Sequence, residues 1–419
     1  MSAPRLCRAA AAAQPPIIFW SRLQTYTSLG SFFCSTSRSG KQEMHSSFAP
    51  RCSHISVLSR SNRRHRLRRI PECCAYASTS RNFSSKHAST PARKVVVTAR
   101  AFPETTDLLA SAGLHVVSNR SIEPWTREEL VSHAQDARAI LAFMTDSVDE
   151  GLLDACPHLE LVACALKGYD NFSTDLCAER GVAVTAVPDL LTQPTAELAL
   201  LLALGLGRRI READHAVRSG EFRGWRPSLY GTGLTGATVG IYGAGAVGRA
   251  VAKMLRGFEP KRILYRDPAP AIPIDELSQI VEPVESLEEL MCRCDFVFVC
   301  TPLNKSTYHA IDANVLAQAK PGMFLVNISR GSCVDEHAVA EALHSDRLGG
   351  YAADVFEFED WILEDRPDAI EPRLLSHPRT LFSPHLGSAV VQTRRDIEVA
   401  AAEEIIRWSC GEPCMHRVN

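Results

Sequence analysis

The sequence predicts an α/β protein in which a doubly wound parallel sheet is joined to a smaller α/β domain. Three observations predict it. Short β-branched runs alternate with helical stretches from about residue 93 onward. Those runs are apolar nearly throughout, as strands covered by helices on both faces should be. One long apolar helix interrupts the alternation, and a second strand–helix series follows it.

KVVVTA at 94–99 reads as the first strand, FPETTDLLASAG as a helix closed by Gly113, and HVVSN as the next strand. TREELVSHAQDA reads as a helix capped by Thr126, with Glu129 three residues on to complete a capping box. AILAF at 139–143 and LVACAL from Leu161 are buried strands. PTAELALLLALGLGRRIREADHAVRSG, residues 194–220, opens on Pro194 and reads as one long helix. Its first half is apolar on all sides, which places it between domains or protomers. The second series has strands in ATVGIYG, RILYRD, FVFVC, FLVNI, YAADVF and TLFSP, with helices such as AVGRAVAKMLRG and DEHAVAEALHS between them.

Composition excludes several functions. Residues 1–92 hold 14 basic and two acidic side chains, leaving 32 basic and 46 acidic for 93–419, a net of −14. An acidic body argues against nucleic-acid binding, and no apolar run reaches the length of a membrane span. The first 92 residues are rich in Ser, Ala and Arg, the composition of an organelle transit peptide, mitochondrial or plastid. A competing reading takes the run Arg63, Arg64, Arg66, Arg68 and Arg69 as a nuclear or nucleic-acid element. The 14 cysteines show no paired zinc spacing, so no metal is expected and the thiols read as reduced and buried.

Gly243-Ala244-Gly245-Ala246-Val247-Gly248 is G-x-G-x-x-G, placed directly after a strand and directly before a helix. Gly243 permits the tight turn, Gly245 admits a pyrophosphate to the backbone, and Gly248 lets helix and strand pack closely. The helix N-terminus adds free N–H groups for phosphate. Asp267, at the end of the next strand, suits the ribose hydroxyls and repels a 2′-phosphate, which favours NAD over NADP. Arg266 beside it is the one residue suited to NADP.

Three later strand ends concentrate charge. Arg330 follows FLVNI, Asp354, Glu357, Glu359 and Asp360 surround the end of YAADVF, and His385 follows the last strand. Together they offer a base, a carboxylate to orient it and a fixed cation for an anionic substrate. These stretches, N-x-x-RG-x-x-VDE, D-x-F-x-x-E and PH-x-G-S after the glycine motif, resemble the D-isomer-specific 2-hydroxyacid dehydrogenase superfamily across 94–419. The resemblance implies that Arg330 binds substrate, His385 is the acid–base and Glu359 its partner. It also implies further cofactor contacts at Thr195, Thr301, Pro302 and Asp354, and a homodimer. The implied fold is a Rossmann-type cofactor domain at 194–386 with a flavodoxin-like substrate domain at 93–193, completed by 387–419.

Within the superfamily, AFMTDSVD, CALKGYDNF, VPDLLTQPTAELA, RSGEFRGW, YGTGL, GGYAADVFEFEDW and PHLGSAV resemble the phosphonate (phosphite) dehydrogenases. On that likeness Lys167 and the Gly168 backbone bind a small oxyanion with Arg330, Arg394 stands at the pocket edge, and Met144, Leu191, Trp225 and Tyr230 line it. Two cations suit a phosphite dianion better than one. The attacking water is handled by His385 or by Arg394, and Glu357 and Asp360 read as solvated or structural acids. Two alternatives remain: a hydroxypyruvate or glyoxylate reductase using the same His385, Glu359 and Arg330, and a non-catalytic NAD-sensing protein.

Overall fold

A computed structural model describes residues 92–268, 280–360, 363 and 365–419. The proposed leader lies outside the described residues. Two parallel sheets organise the chain. The first holds β1 (Lys94–Val97), β2 (His115–Ser118), β3 (Ala139–Ala142), β4 (Leu161–Cys164) and β5 (Ala183–Thr185), in the order β2-β1-β3-β4-β5. That is the flavodoxin-like order. The second holds β6 (Thr238–Tyr242), β7 (Arg262–Arg266), β8 (Val281–Pro283), β9 (Phe296–Val299), β10 (Met323–Asn327), β11 (Leu348–Ala353) and β12 (Thr380–Phe382). Its order, β12-β11-β10-β9-β6-β7-β8, reverses direction between β6 and β9, and that switch point is where open sheets bind ligands.

The expected strands are present, and β5 and β8, each three residues long, were too short to stand out in the sequence. Thr126 does cap the helix Arg127–Ala134 with Glu129 reciprocating. The expected single helix over 194–220 is instead two, Thr192–Gly207 and Ile210–Arg218. The break has a local cause. Thr232 donates its N–H to Gly207 O, and a Cβ at Gly207 would lie 2.9 Å from Thr232 O, so the returning chain occupies the helix flank. Arg209 then takes φ 55° and ties its guanidinium to Glu212, starting the second helix in a new direction.

The helix Thr192–Gly207 buries Ala196, Ala199, Leu202, Ala203 and Leu206 against Val239, Ile241, Phe296 and Phe298 of the larger sheet. The C-terminal helix Val391–Ser409 returns to the smaller sheet, placing Ile397, Ala401, Ala402 and Ile405 against Val95, Leu141 and Leu161. After it the tail runs antiparallel beside β5, with Val418 donating to Val184 O and Asn419 Oδ1 accepting from Val184 N–H. The tail therefore covers a sheet edge, which would otherwise present unpaired backbone groups. Among the described residues no helix is long and apolar enough to cross a membrane.

Candidate active site

Gly243 has φ 96°, and a Cβ there would lie 2.8 Å from Thr301 N just past β9, so only glycine makes this turn between β6 and the following helix. A Cβ at Gly248 would overlap Gly243 O, which fixes the close contact of the helix Ala246–Leu255 with its strand. At Gly245 the same position faces open space, and Ala246 and Val247 follow as the first residues of that helix. The combination leaves room for a pyrophosphate over free helix N–H groups. Ala244 donates its N–H to Asp267 Oδ2 at 2.6 Å, which holds the acid against the glycine turn where a ribose would lie. Arg266 is folded back, giving Nη1 to Asp267 O at 2.7 Å. The residues present fit a dinucleotide.

The loop after β12 carries His385 with φ 55°, a left-handed conformation that is rare outside glycine and signals an imposed geometry. Asp354 imposes it. Its backbone carbonyl accepts from His385 N–H at 2.8 Å, its Oδ1 accepts from Ser383 Oγ and Leu386 N–H, and its Oδ2 accepts from Gly387 N–H at 2.8 Å. Burial raises the Asp354 carboxyl above its ordinary range, against the pull of these donors. A Cβ at Gly387 would lie 3.1 Å from Thr195 Oγ1, so Thr195 borders the same loop; its hydroxyl is given to Leu191 O at 2.8 Å. Of the two residues expected at the cofactor, Asp354 thus holds the histidine loop and Thr195 borders it.

Glu359 lies in the short turn Glu357–Glu359 after β11. Its Oε1 accepts from Phe356 N–H at 2.7 Å, and its Oε2 is 2.9 Å from His385 Nδ1. That pairing makes Nδ1 the donor to the carboxylate and leaves Nε2 as the exchanging nitrogen.

Arg330 follows β10 and is held by an acid that sequence reasoning passed over. Asp170 takes Arg330 Nε at 3.0 Å and Nη2 at 2.9 Å in a side-on fork, while Nη1 reaches Ser329 O at 2.9 Å. Burial works against the arginine's charge, and the Asp170 carboxylate outweighs it and raises the guanidinium further. Burial would likewise raise Asp170, but Arg330 holds its carboxyl below the ordinary value, with His385 adding to the effect. A guanidinium has five N–H donors. Three are committed here, leaving two, the number one carboxylate takes. A Cβ at Gly168 would overlap Arg330 Nη2, so the glycine admits the guanidinium to the β4 loop. The signal for Asp170 was present in the motif KGYDN, two residues past that glycine.

Lys167, also on this loop, forms an ion pair with Asp189 in the segment leading to the helix Thr192–Gly207. Burial and the nearby Arg249 lower its pKa. Arg394 stands farther back, with Nη1 3.4 Å from Ala165 O and its guanidinium 5.9 Å over the Phe143 ring. Met144 and Leu191 pack at the margins of the smaller sheet's two apolar clusters. Thr301 is buried beside Gly243, and the carbonyl of exposed Pro302 accepts from Thr307 Oγ1. One expected pocket residue, Tyr230, is elsewhere. Trp225 is 77% exposed, and Tyr230, 72% exposed, lines a cavity of about 420 Å³ with Phe324, Gly349 and Thr380, at the strands' amino ends. Both follow the helix break, and the cavity beside Tyr230 lies at the opposite strand ends from His385.

Residues 200–387 match the family model for the NAD-binding domain of D-isomer specific 2-hydroxyacid dehydrogenases. A glyoxylate reductase of Thermococcus litoralis is 36% identical over 298 residues, spanning 70% of this chain and 87% of its own length. The chain belongs to the D-isomer specific 2-hydroxyacid dehydrogenase family. A glyoxylate reductase from Paecilomyes thermophila is similar in structure, with TM-score 0.67 and 27% identity over 78% of this chain and 98% of that one. An NADPH-dependent glyoxylate/hydroxypyruvate reductase from Sinorhizobium meliloti gives 0.66 and 28% over 78% and 97%. This family member is accordingly an NAD-dependent oxidoreductase. The relatives named are glyoxylate or hydroxypyruvate reductases rather than phosphonate dehydrogenases, which does not bear out the expected phosphite specificity.

Proposed function

We propose that the protein interconverts small 2-oxo acids and D-2-hydroxy acids, with glyoxylate or hydroxypyruvate as substrate. The observation that carries this reading is the two uncommitted N–H groups of Arg330 beside the His385–Glu359 pair. Arg330 grips the substrate carboxylate through both oxygens. His385 Nε2 gives its proton to the carbonyl oxygen in reduction and recovers it in oxidation. Glu359 keeps the Nδ1 proton in place and offsets the charge on the ring. NADH, when bound at the glycine turn, supplies the hydride.

Charge balance favours a monoanion over phosphite. Lys167 is matched by Asp189 and Arg330 by Asp170, so the pairs that were to hold a dianion are already neutral. The full chain should oxidise NADH with glyoxylate and hydroxypyruvate, followed at 340 nm, and Lys167→Ala should change kcat/KM less than about threefold. NADH formation from phosphite and NAD, abolished by Lys167→Ala, would restore the phosphite reading.

We also propose a homodimer, supported by the segment after the helix break. The helix Ile210–Arg218 buries no residue, and Ile210, Val217, Phe222, Trp225 and Tyr230 are all exposed on or beyond it. A Phe222→Glu variant should sediment as a monomer where the parent sediments as a dimer. The basic composition of residues 1–92 supports import into an organelle; a carboxyl-terminal fluorescent fusion that stays cytosolic would remove that proposal.

A further inference from the structure

Behind the catalytic pair stands a second cluster of titratable groups that the steps above do not use. Glu336 opens the helix Glu336–His344 and is almost wholly buried. Its N–H donates to Glu357 Oε1 at 2.7 Å, and the Glu357 N–H donates back to Glu336 Oε1 at 2.9 Å. Glu371 N–H reaches Glu336 Oε2 at 3.2 Å. The second oxygen of Glu357 lies 2.9 Å from His309 Nε2. His309 also gives its backbone N–H to Ser332 O at 2.7 Å. Its φ is 44°, a conformation a histidine keeps only where its surroundings over-determine it.

Glu357 begins the turn that carries Glu359, and Asp360, just past it, accepts from Ser332 N–H at 2.7 Å. Gly331 lies so close to the Phe356–Glu357 peptide that a Cβ would overlap it. The acid turn is therefore pinned at both ends to the loop that follows Arg330, and His309 spans the two.

We propose that His309, Glu357 and Glu336 are positioning residues that fix the His385–Glu359 pair relative to Arg330. The inference rests on the oxidoreductase reading above. A proton-transfer pair and an anion clamp serve the same substrate only while their separation holds to within about half an ångström. His309 does this without touching substrate, by bonding one loop through its backbone and the other through its ring. The charges around the unit are consistent with the role. Glu371 and Tyr351 face Glu336 and Glu357, Cys333 lies near Tyr351, Asp335 and Asp312 act on His309, and Arg373 neutralises Glu371. Burial drives the Glu336 carboxyl up to about 7, and the bond to Glu357 raises His309.

The test uses the full chain with glyoxylate and NADH, comparing the parent with Glu357→Gln, Glu357→Asp and His309→Gln across pH. Glu357→Gln should lower kcat about tenfold while the glyoxylate KM moves less than about threefold. Its reduction rate should begin to fall at a lower pH than in the parent, since a displaced Glu359 supports the imidazolium less well. Glu357→Asp should recover part of kcat, and His309→Gln should shift kcat and the pH limb in the same direction by less. If Glu357→Gln does not fold, His309→Gln at the protein's rim carries the test. Variants within twofold of the parent, with an unmoved pH limb, would overturn the inference alone. A parent chain that turns over no 2-oxo acid would overturn both it and the proposed function.

Discussion

The two walls of the cleft are held very differently. On the seven-stranded side, His385, Glu359 and Arg330 follow three adjacent strands, and Asp354 and Asp360 each bind backbone N–H groups of the neighbouring loops. On the five-stranded side, Lys167, Gly168 and Asp170 lie on one loop, and Lys167 reaches an exposed acid. Proton transfer tolerates little misplacement, whereas attraction of an anion acts over several ångströms. The rigid wall is suited to the chemistry, and the looser wall to orienting the arginine.

That contrast can be broken or sharpened in four steps. The largest effect should come from His385→Ala, which should cut kcat by about 10³-fold in both directions, with NADH affinity retained on titration by fluorescence. A variant retaining a tenth of the activity would move proton transfer to another group. Arg330→Lys should come next, raising the glyoxylate KM by about 10²-fold, because an ammonium cannot replace a planar fork and Asp170 is left half-paired. Steady-state kinetics at saturating NADH measures it. Asp170→Asn should follow, with KM up by about fivefold as the fork loses its charged anchor; an unchanged KM would show that the looser wall does not orient the arginine.

The smallest effect is on stability. Glu336 has a folded-state pKa of about 7, above the ordinary carboxyl value. Its contribution is fully present below the unfolded value and is lost as pH rises through about 7. Between pH 5 and 8 the parent should lose about 1–3 kcal/mol that Glu336→Gln does not, read from denaturant midpoints at the two pH values. Equal slopes would mean that the two backbone donors keep the carboxylate charged throughout.

The sequence was sufficient for the α/β class, the glycine turn and the grouping of His385, Glu359 and Arg330, because each leaves a local mark. Buried parallel strands read as apolar runs, G-x-G-x-x-G sits between a strand and a helix, and charges cluster where strands end. The His385–Glu359 pair was legible for that reason, with the spacing after β11 and β12 placing both at one sheet edge. What distant parts of the chain do to one another left no such mark. Asp170 is 160 residues from Arg330, and although KGYDN marks the acid, nothing in the sequence assigns that arginine as its partner. The helix over 194–220 breaks because Thr232 returns to Gly207, and Tyr230, two residues before Thr232, lies at the strands' amino ends. Lys167 stood out as a spare cation at a strand end, until the fold brought Asp189 to it. Backbone periodicity is a property of neighbouring residues, so the sequence alone determined most of the elements and where the charged groups cluster. Charge pairing depends on distance in space, so only the tertiary structure decided which of those charges remain available to a substrate.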